Sequence, residues 1–198
     1  MIRAGKISEI SASTGDWLIL DIGFSNRAAS CGLMINQNPP LRLQFGETVD
    51  MICGIIAAAT GAVNLVIEAP LSVAFDAKGN PKGRAIEKMG KHTRFWYTGP
   101  GSAVMLASLY LVNALEMMPG QREIRLFEGF VSFKEKRRKS DHLRDVIMLR
   151  EMVDNPQSFA DSIIGPDALK MDETDTLQSA FRIAGMDIGI PPVLMRNG

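Results

Sequence analysis

Apolar residues in the first third of the chain fall in short runs punctuated by turn formers. Trp17-Leu-Ile-Leu-Asp-Ile22 is nearly unbroken, Gly23-Phe-Ser-Asn-Arg27 interrupts it, and Asn36-Gln-Asn-Pro-Pro40 follows a second run. This predicts a strand over 17–22, a hairpin turn and a second strand over 28–35. Leu41-Arg-Leu-Gln-Phe45 alternates and predicts a third strand, so three consecutive strands are expected to be antiparallel. Residues 1–15 are small and polar and read as a loose lead-in.

From there the period lengthens. A helix is expected over 47–60, ended by Gly61. Val63-Asn-Leu-Val-Ile67 suits a parallel strand covered on both faces. Residues 75–101 are irregular and rich in Gly, Lys and Arg, with Phe95-Trp-Tyr97 inside. An apolar helix over 102–118 closes at Pro119-Gly120; with Asn113 and Glu116 inside, it is too short and too polar for a membrane span and reads as core or dimer interface. A strand over 124–133, interrupted at Gly129, precedes a helix that Ser140 caps and that runs to 153, with Asp141 in its first turn. Loop or short helix is expected over 155–170, then a last helix over 172–185. The order βββαβ-(insert)-α-β-α-α predicts one α/β layered domain over 1–198, built on a mixed sheet, with an insertion at 74–119.

Length and charge narrow this little. The 198 residues suffice for one domain with a real core, and 22 basic against 22 acidic residues leave no global field to draw the protein onto nucleic acid or an anionic membrane. Cys31 and Cys53 match no zinc or redox spacing and read as small hydrophobes. The first 14 residues lack the pattern of a secretory signal, so an intracellular, cytoplasmic protein without a membrane partner is expected.

The chemistry begins with carboxylates at the ends of apolar runs. Asp21 ends the first strand, Glu68 ends Asn64-Leu-Val-Ile-Glu68, Glu128 lies in Ile124-Arg-Leu-Phe-Glu128, and Asp172 and Asp175 open the last expected helix. A carboxylate beside buried β-branched residues is costly unless paired or bound to a cation, and several from separate elements suggest a shared divalent metal. Two such ions about 4 Å apart serve phosphodiester cleavage. If 17–22 and 63–67 are neighbours, Asp21 and Glu68 meet. On a helix, Asp172 and Asp175 would share one face, opposite a docking stripe of Leu177, Ala180, Phe181 and Ala184. Each carboxylate also has a plain reading: Asp172 as N-cap with Asp175 in the first turn, Glu68 as a solvated strand end, Asp21 as turn chemistry.

The layout of strand-Asp-x-Gly-x-Ser hairpin, strand-Glu and late Asp-x-x-Asp-x-Leu resembles the RNase H-like superfamily. Asp172-x-x-Asp175 is similar to the ending of RuvC-type Holliday-junction resolvases. Glu68-Ala-Pro-Leu71, Glu128-Gly-Phe-Val-Ser-Phe133 and Lys139-Ser-Asp-His-Leu-Arg144 resemble segments of a group of predicted RNase H-like nucleases known mainly as a domain of unknown function. The likeness spans about 17–185. It implies an RNase H-like fold, with a mixed five-stranded sheet flanked by helices and a helical insertion after the fourth strand. It also implies a Mg²⁺- or Mn²⁺-dependent nuclease with Asp21, Glu68 and Asp175 as ligands, Asp172 as an alternative or addition, and Glu128 as an extra candidate. The substrate would be nucleic acid, DNA ahead of RNA, including branched DNA; a junction resolvase would act as a homodimer because two symmetric strands are cut.

The dense cluster Lys134-Glu-Lys-Arg-Arg-Lys139 makes Lys136, Arg137, Arg138 and Lys139 candidate phosphate contacts, or else a solvated loop. Arg84, Lys88, Lys91 and Arg94 beside Phe95-Trp-Tyr97 combine cations with aromatics, so Arg94 and Trp96 are further candidates for single-strand or base-stacking contacts; buried aromatics beside a basic loop are the alternative. His92 and His142 could assist proton transfer or be structural. Two other functions stay open: a catalytically silent RNase H-like assembly subunit, and an actin- or sugar-kinase-like ATPase, for which the chain is short. Asp21→Asn separates nuclease from assembly subunit.

Overall fold

In the computed structural model, which describes residues 1–25, 28–120, 122–133 and 141–197, the chain opens with a strand rather than a loose lead-in. β1 (Ile2–Ala4) pairs in parallel with residues 124–126, and Arg3 reaches Glu9 at 2.5 Å and Glu123 at 2.7 Å. A three-residue strand has no periodicity to read. Its partners lie more than a hundred residues away, which is why composition alone suggested looseness.

β2 (Asp16–Asp21), β3 (Cys31–Ile35) and β4 (Leu41–Leu43) form the expected antiparallel series, the second strand starting at Cys31 rather than residue 28. α1 (Phe45–Ala58) begins two residues early because Glu47 Oε2 accepts the Gln44 N–H at 2.9 Å and closes a capping box. It stops at Ala59, not at Gly61. β5 (Val63–Glu68) lies parallel to β2.

The insertion is less irregular than its composition suggests. β6 (Ser72–Phe75) and β7 (Pro81–Lys82) form a hairpin, β8 (Lys88–Met89) and β9 (His92–Thr93) a second one, and α2 (Pro100–Glu116) follows. β10 (Ile124–Ser132) runs unbroken through Gly129, and α3 (His142–Asp154) is capped by Asp141; Ser140 lies outside the described residues. β11 (Ile163–Ile164), β12 (Thr176–Ser179), α4 (Ala180–Ile183) and β13 (Val193–Asn197) complete the chain.

The expected helix over 172–185 is therefore a correction. Residues 176–179 pair antiparallel with β6, and only 180–183 are helical. The edge of β6 offers these residues a ladder of backbone bonds, which outweighs a marginal helical pattern.

The main sheet has eight strands rather than five, ordered β11-β13-β10-β5-β2-β3-β4, with β1 beside the start of β10. β2, β5, β10 and β13 are parallel in sequence of neighbours, while β3, β4 and β11 run antiparallel to theirs. Alternation divides the core into two layers. Leu18, Leu20, Leu65 and Ile67 face α1 and α2; Trp17, Ile19, Val66 and Phe127 face α3. All eight are fully buried, each contributing roughly 1.5–3 kcal/mol. α2 buries Ala107, Leu111, Val112 and Leu115 and leaves Leu106, Tyr110 and Met117 exposed. No helix among the described residues is long and apolar enough to cross a membrane.

Candidate active site

After β2 the chain winds outward through β3 and β4, then α1 carries it back to β5 on the other side of β2. Asp21 and Glu68 end these two parallel strands and stand opposite each other in register. Carboxyl ends of strands at such a reversal form the natural crevice of an open α/β sheet. The condition on which the sequence brings these two residues together, adjacency of the two strands, holds.

The same row extends outward in both directions to glycine. Gly32 is the β3 partner of Asp21, and Gly129 is the β10 partner of Glu68. Side chains at paired positions share a face, so Gly32, Asp21, Glu68 and Gly129 form one line under α3. A Cβ on Gly32 would lie 2.3 Å from the His142 carbonyl oxygen and 2.6 Å from its carbon; on Gly129 it would lie 2.7 Å from Leu149 Cδ1. The first obstacle is backbone and cannot swing away. Gly32→Ala is therefore expected to lift the first turn of α3, cost about 1–3 kcal/mol by overpacking, and separate α3 from the carboxylates. Thermal melting together with Mg²⁺ titration checks this; an unchanged melting midpoint and unchanged metal affinity would contradict it.

α3 enters this line with its own acid. Asp141 accepts the Leu143 N–H at 3.3 Å as N-cap and also meets Arg42 at 3.2 Å. With the start so fixed, His142 and Asp145, three apart, project from one helix face. His142 Nδ1 stands 2.9 Å from Asp21 Oδ1, an ion pair when the imidazole is protonated. Asp145 is only 3% exposed. The Glu68 carboxyl is pushed well above the usual glutamate range, first by burial, then by the charges of Asp21 and Asp145; the Val131 N–H, donating to Oε1 at 3.3 Å, opposes the shift. Asp21, Glu68, His142 and Asp145 line a cavity of about 300 Å³, whose lining also includes Arg94, Trp96 and, from the start of α2, Pro100, Gly101 and Val104.

The other expected site residues lie elsewhere. Glu128 points to the opposite face of β10 from Gly129 and is fully buried. Both its oxygens take Arg84, at 2.7 and 2.9 Å, and Oε2 also accepts the Leu71 N–H. Arg84 in turn donates to Glu87 at 2.8 Å and to Ser72. Glu128 is thus committed to a buried charge network, where a metal ligand needs free lone pairs. Asp172 and Asp175 share Lys82, at 2.7 and 2.9 Å, and Asp175 also accepts the N–H groups of Met171 and Asp172. They close the insertion against the turn before β12, away from the cavity lining.

Arg94 does reach the cavity. Trp96 does too, but it is buried and packs edge-to-face with Phe130, ring centroids 4.6 Å apart, so it is not exposed for stacking a base. Lys136, Arg137, Arg138 and Lys139 lie outside the described residues. Asp145 was missed in the sequence, though the signal was present: Asp145-Val146, Leu149 and Met152-Val153 form the buried stripe of α3, with a carboxylate inside it. His142, which the sequence offers for proton transfer or for structure, stands at the cavity beside Asp21.

Among the described residues no group of three or more His, Cys, Asp or Glu side chains is arranged as a ready-made metal site. The donor set nevertheless suits a hard, hydrated cation. Asp21, Glu68 and Asp145 supply carboxylate oxygens around one cavity. Magnesium keeps much of its water and needs few protein ligands. No protein-family model, curated protein or solved structure matches the chain.

Proposed function

We propose that this protein is a Mg²⁺- or Mn²⁺-dependent nuclease of RNase H-like build, with Asp21, Glu68 and Asp145 as its metal-binding carboxylates. The observation that carries the reading is the register of Asp21 with Glu68 under the α3 turn that brings Asp145 to the same cavity. A strand-borne Asp, a neighbouring strand-borne Glu and a helix-borne Asp over a mixed sheet are what the sequence resemblance leads one to expect. The helix is α3 rather than the one expected after residue 171.

Bound divalent ions would supply an activated water and stabilise the charge on the leaving oxygen of a phosphodiester. The chain's own residues do the rest. Asp21 and Glu68, fixed at the ends of buried strands, hold their carboxylates on a rigid base. His142 orients Asp21 from 2.9 Å and stands where it can hold or release a proton beside it. Trp96, Pro100 and Val104 add apolar surface to the cavity lining.

The test is Mg²⁺ binding by calorimetry combined with cleavage of single-stranded, duplex and branched DNA and the matching RNA. Wild type is expected to bind Mg²⁺ and to cleave one of these classes; Asp21→Asn is expected to fold normally and lose both properties. A folded wild type with neither metal binding nor cleavage would sink the proposal and favour an assembly subunit.

A further inference from the structure

Four features stand outside the carboxylate triad: the buried Arg84 network, the apolar cavities beside Met89 and Met117, the exposed stripe on α2, and the cation that the insertion places at the cavity. We propose that Arg94 binds a non-bridging oxygen of the substrate phosphate, so that the insertion supplies the cationic half of the site; this rests on the nuclease reading.

Arg94 is the only Lys or Arg among the described residues lining the cavity, which it shares with Asp21, Glu68 and Asp145. It is near enough to favour the charged form of Glu68, yet it makes no salt bridge with any carboxylate among the described residues. Its Nη1 donates to Ser132 Oγ at 2.8 Å, and its guanidinium carbon lies 5.8 Å from the centre of the Trp96 ring. Those contacts steady one edge of the guanidinium and leave further N–H groups of the fork for a ligand. A planar fork with fixed charge matches two phosphate oxygens better than an ammonium does.

The segment that carries Arg94 is held with unusual firmness for an insertion. The Glu87 carbonyl accepts the Arg94 N–H at 2.8 Å, and Glu87 Oε2 accepts the Trp96 N–H at 3.0 Å. Glu87 also takes Arg84, which grips Glu128 on β10, and all three side chains are no more than 1% exposed. A buried chain of charge-assisted bonds thus runs from Glu128 through Arg84 and Glu87 to the Trp96 N–H, and a backbone bond ties Arg94 to Glu87 as well. Arg94 is positioned relative to the same strand that lies next to Glu68.

The experiment uses a fluorescein-labelled oligodeoxynucleotide, single-stranded and as a duplex, and the full chain. Binding is read by anisotropy in Mg²⁺ on an Asp21→Asn background at several salt concentrations. Cleavage is read on the wild-type background. Arg94→Ala is expected to weaken binding and raise KM about tenfold, to reduce the salt slope of the binding constant by about one, and to leave the melting midpoint within experimental error. Arg94→Lys is expected to restore the salt slope but only part of the affinity. Wild-type cleavage with unchanged KM and salt slope in Arg94→Ala would overturn the role of Arg94 and leave the nuclease reading standing. Weakened binding with a lowered melting midpoint and an unchanged salt slope would overturn it too, assigning Arg94 to packing. Arg94-dependent binding without cleavage by wild type would support the phosphate contact while defeating the nuclease reading. A wild type that neither binds nor cleaves would defeat both.

Discussion

Asp145→Asn is expected to fold as the wild type does and to lose Mg²⁺-dependent cleavage by about a hundredfold or more, equivalent to roughly 3 kcal/mol of transition-state stabilisation. Asp172→Asn is expected to keep the wild-type rate. Asparagine fills the space of aspartate, so the 3%-exposed position in α3 stays packed while one charge leaves the cavity. The Asp172 side chain is two-thirds exposed and holds only a shared lysine, a contact of small energetic weight. Cleavage assays and melts on the two variants separate a site on α3 from one on residues 172–175. Activity lost in Asp172→Asn and kept in Asp145→Asn would refute the assignment made here.

The largest effect on stability is expected at Arg84. Arg84→Met leaves Glu128 and Glu87 buried without their cation, which typically costs about 3–5 kcal/mol. For a chain of this length that corresponds to a fall in melting midpoint on the order of 10 °C. Adding Glu87→Gln and Glu128→Gln removes the remaining charges while leaving amide oxygens for the Trp96 and Leu71 N–H groups. The triple variant is therefore expected to recover part of the loss. Thermal or urea unfolding measures both. If Arg84→Met unfolds like wild type, the network is not under the electrostatic load its burial implies; if Glu128→Gln instead weakens Mg²⁺ binding with stability intact, Glu128 belongs with the metal ligands after all.

The strand series and the acids at the ends of its runs are legible in the sequence, which placed Asp21 beside Glu68 only on the condition that β2 and β5 are neighbours. Those features are local: apolar runs of strand length, turns rich in Gly, Pro and Asn, and acids at the run ends are written within a few residues of one another. It also announced that α2 would be too polar and short to span a membrane. Tertiary structure made β2 and β5 neighbours and decided three further things. It turned residues 176–179 into a strand, because the free edge of β6 was available to pair with them. It divided the acids between jobs: Glu128 lies one residue from the β10 position facing Glu68, and strand alternation sends it to the other face, where Arg84 waits forty-four residues away in sequence. It also selected Asp145 as the third acid, because only the crossing of α3 over Gly32 and Gly129 brings that helix face down onto the carboxylates. An acid next to apolar residues declares in sequence that it needs a partner. Which partner it finds, a cation in solution or an arginine from an insertion, depends on the face and the neighbour, and those exist only once the sheet has formed.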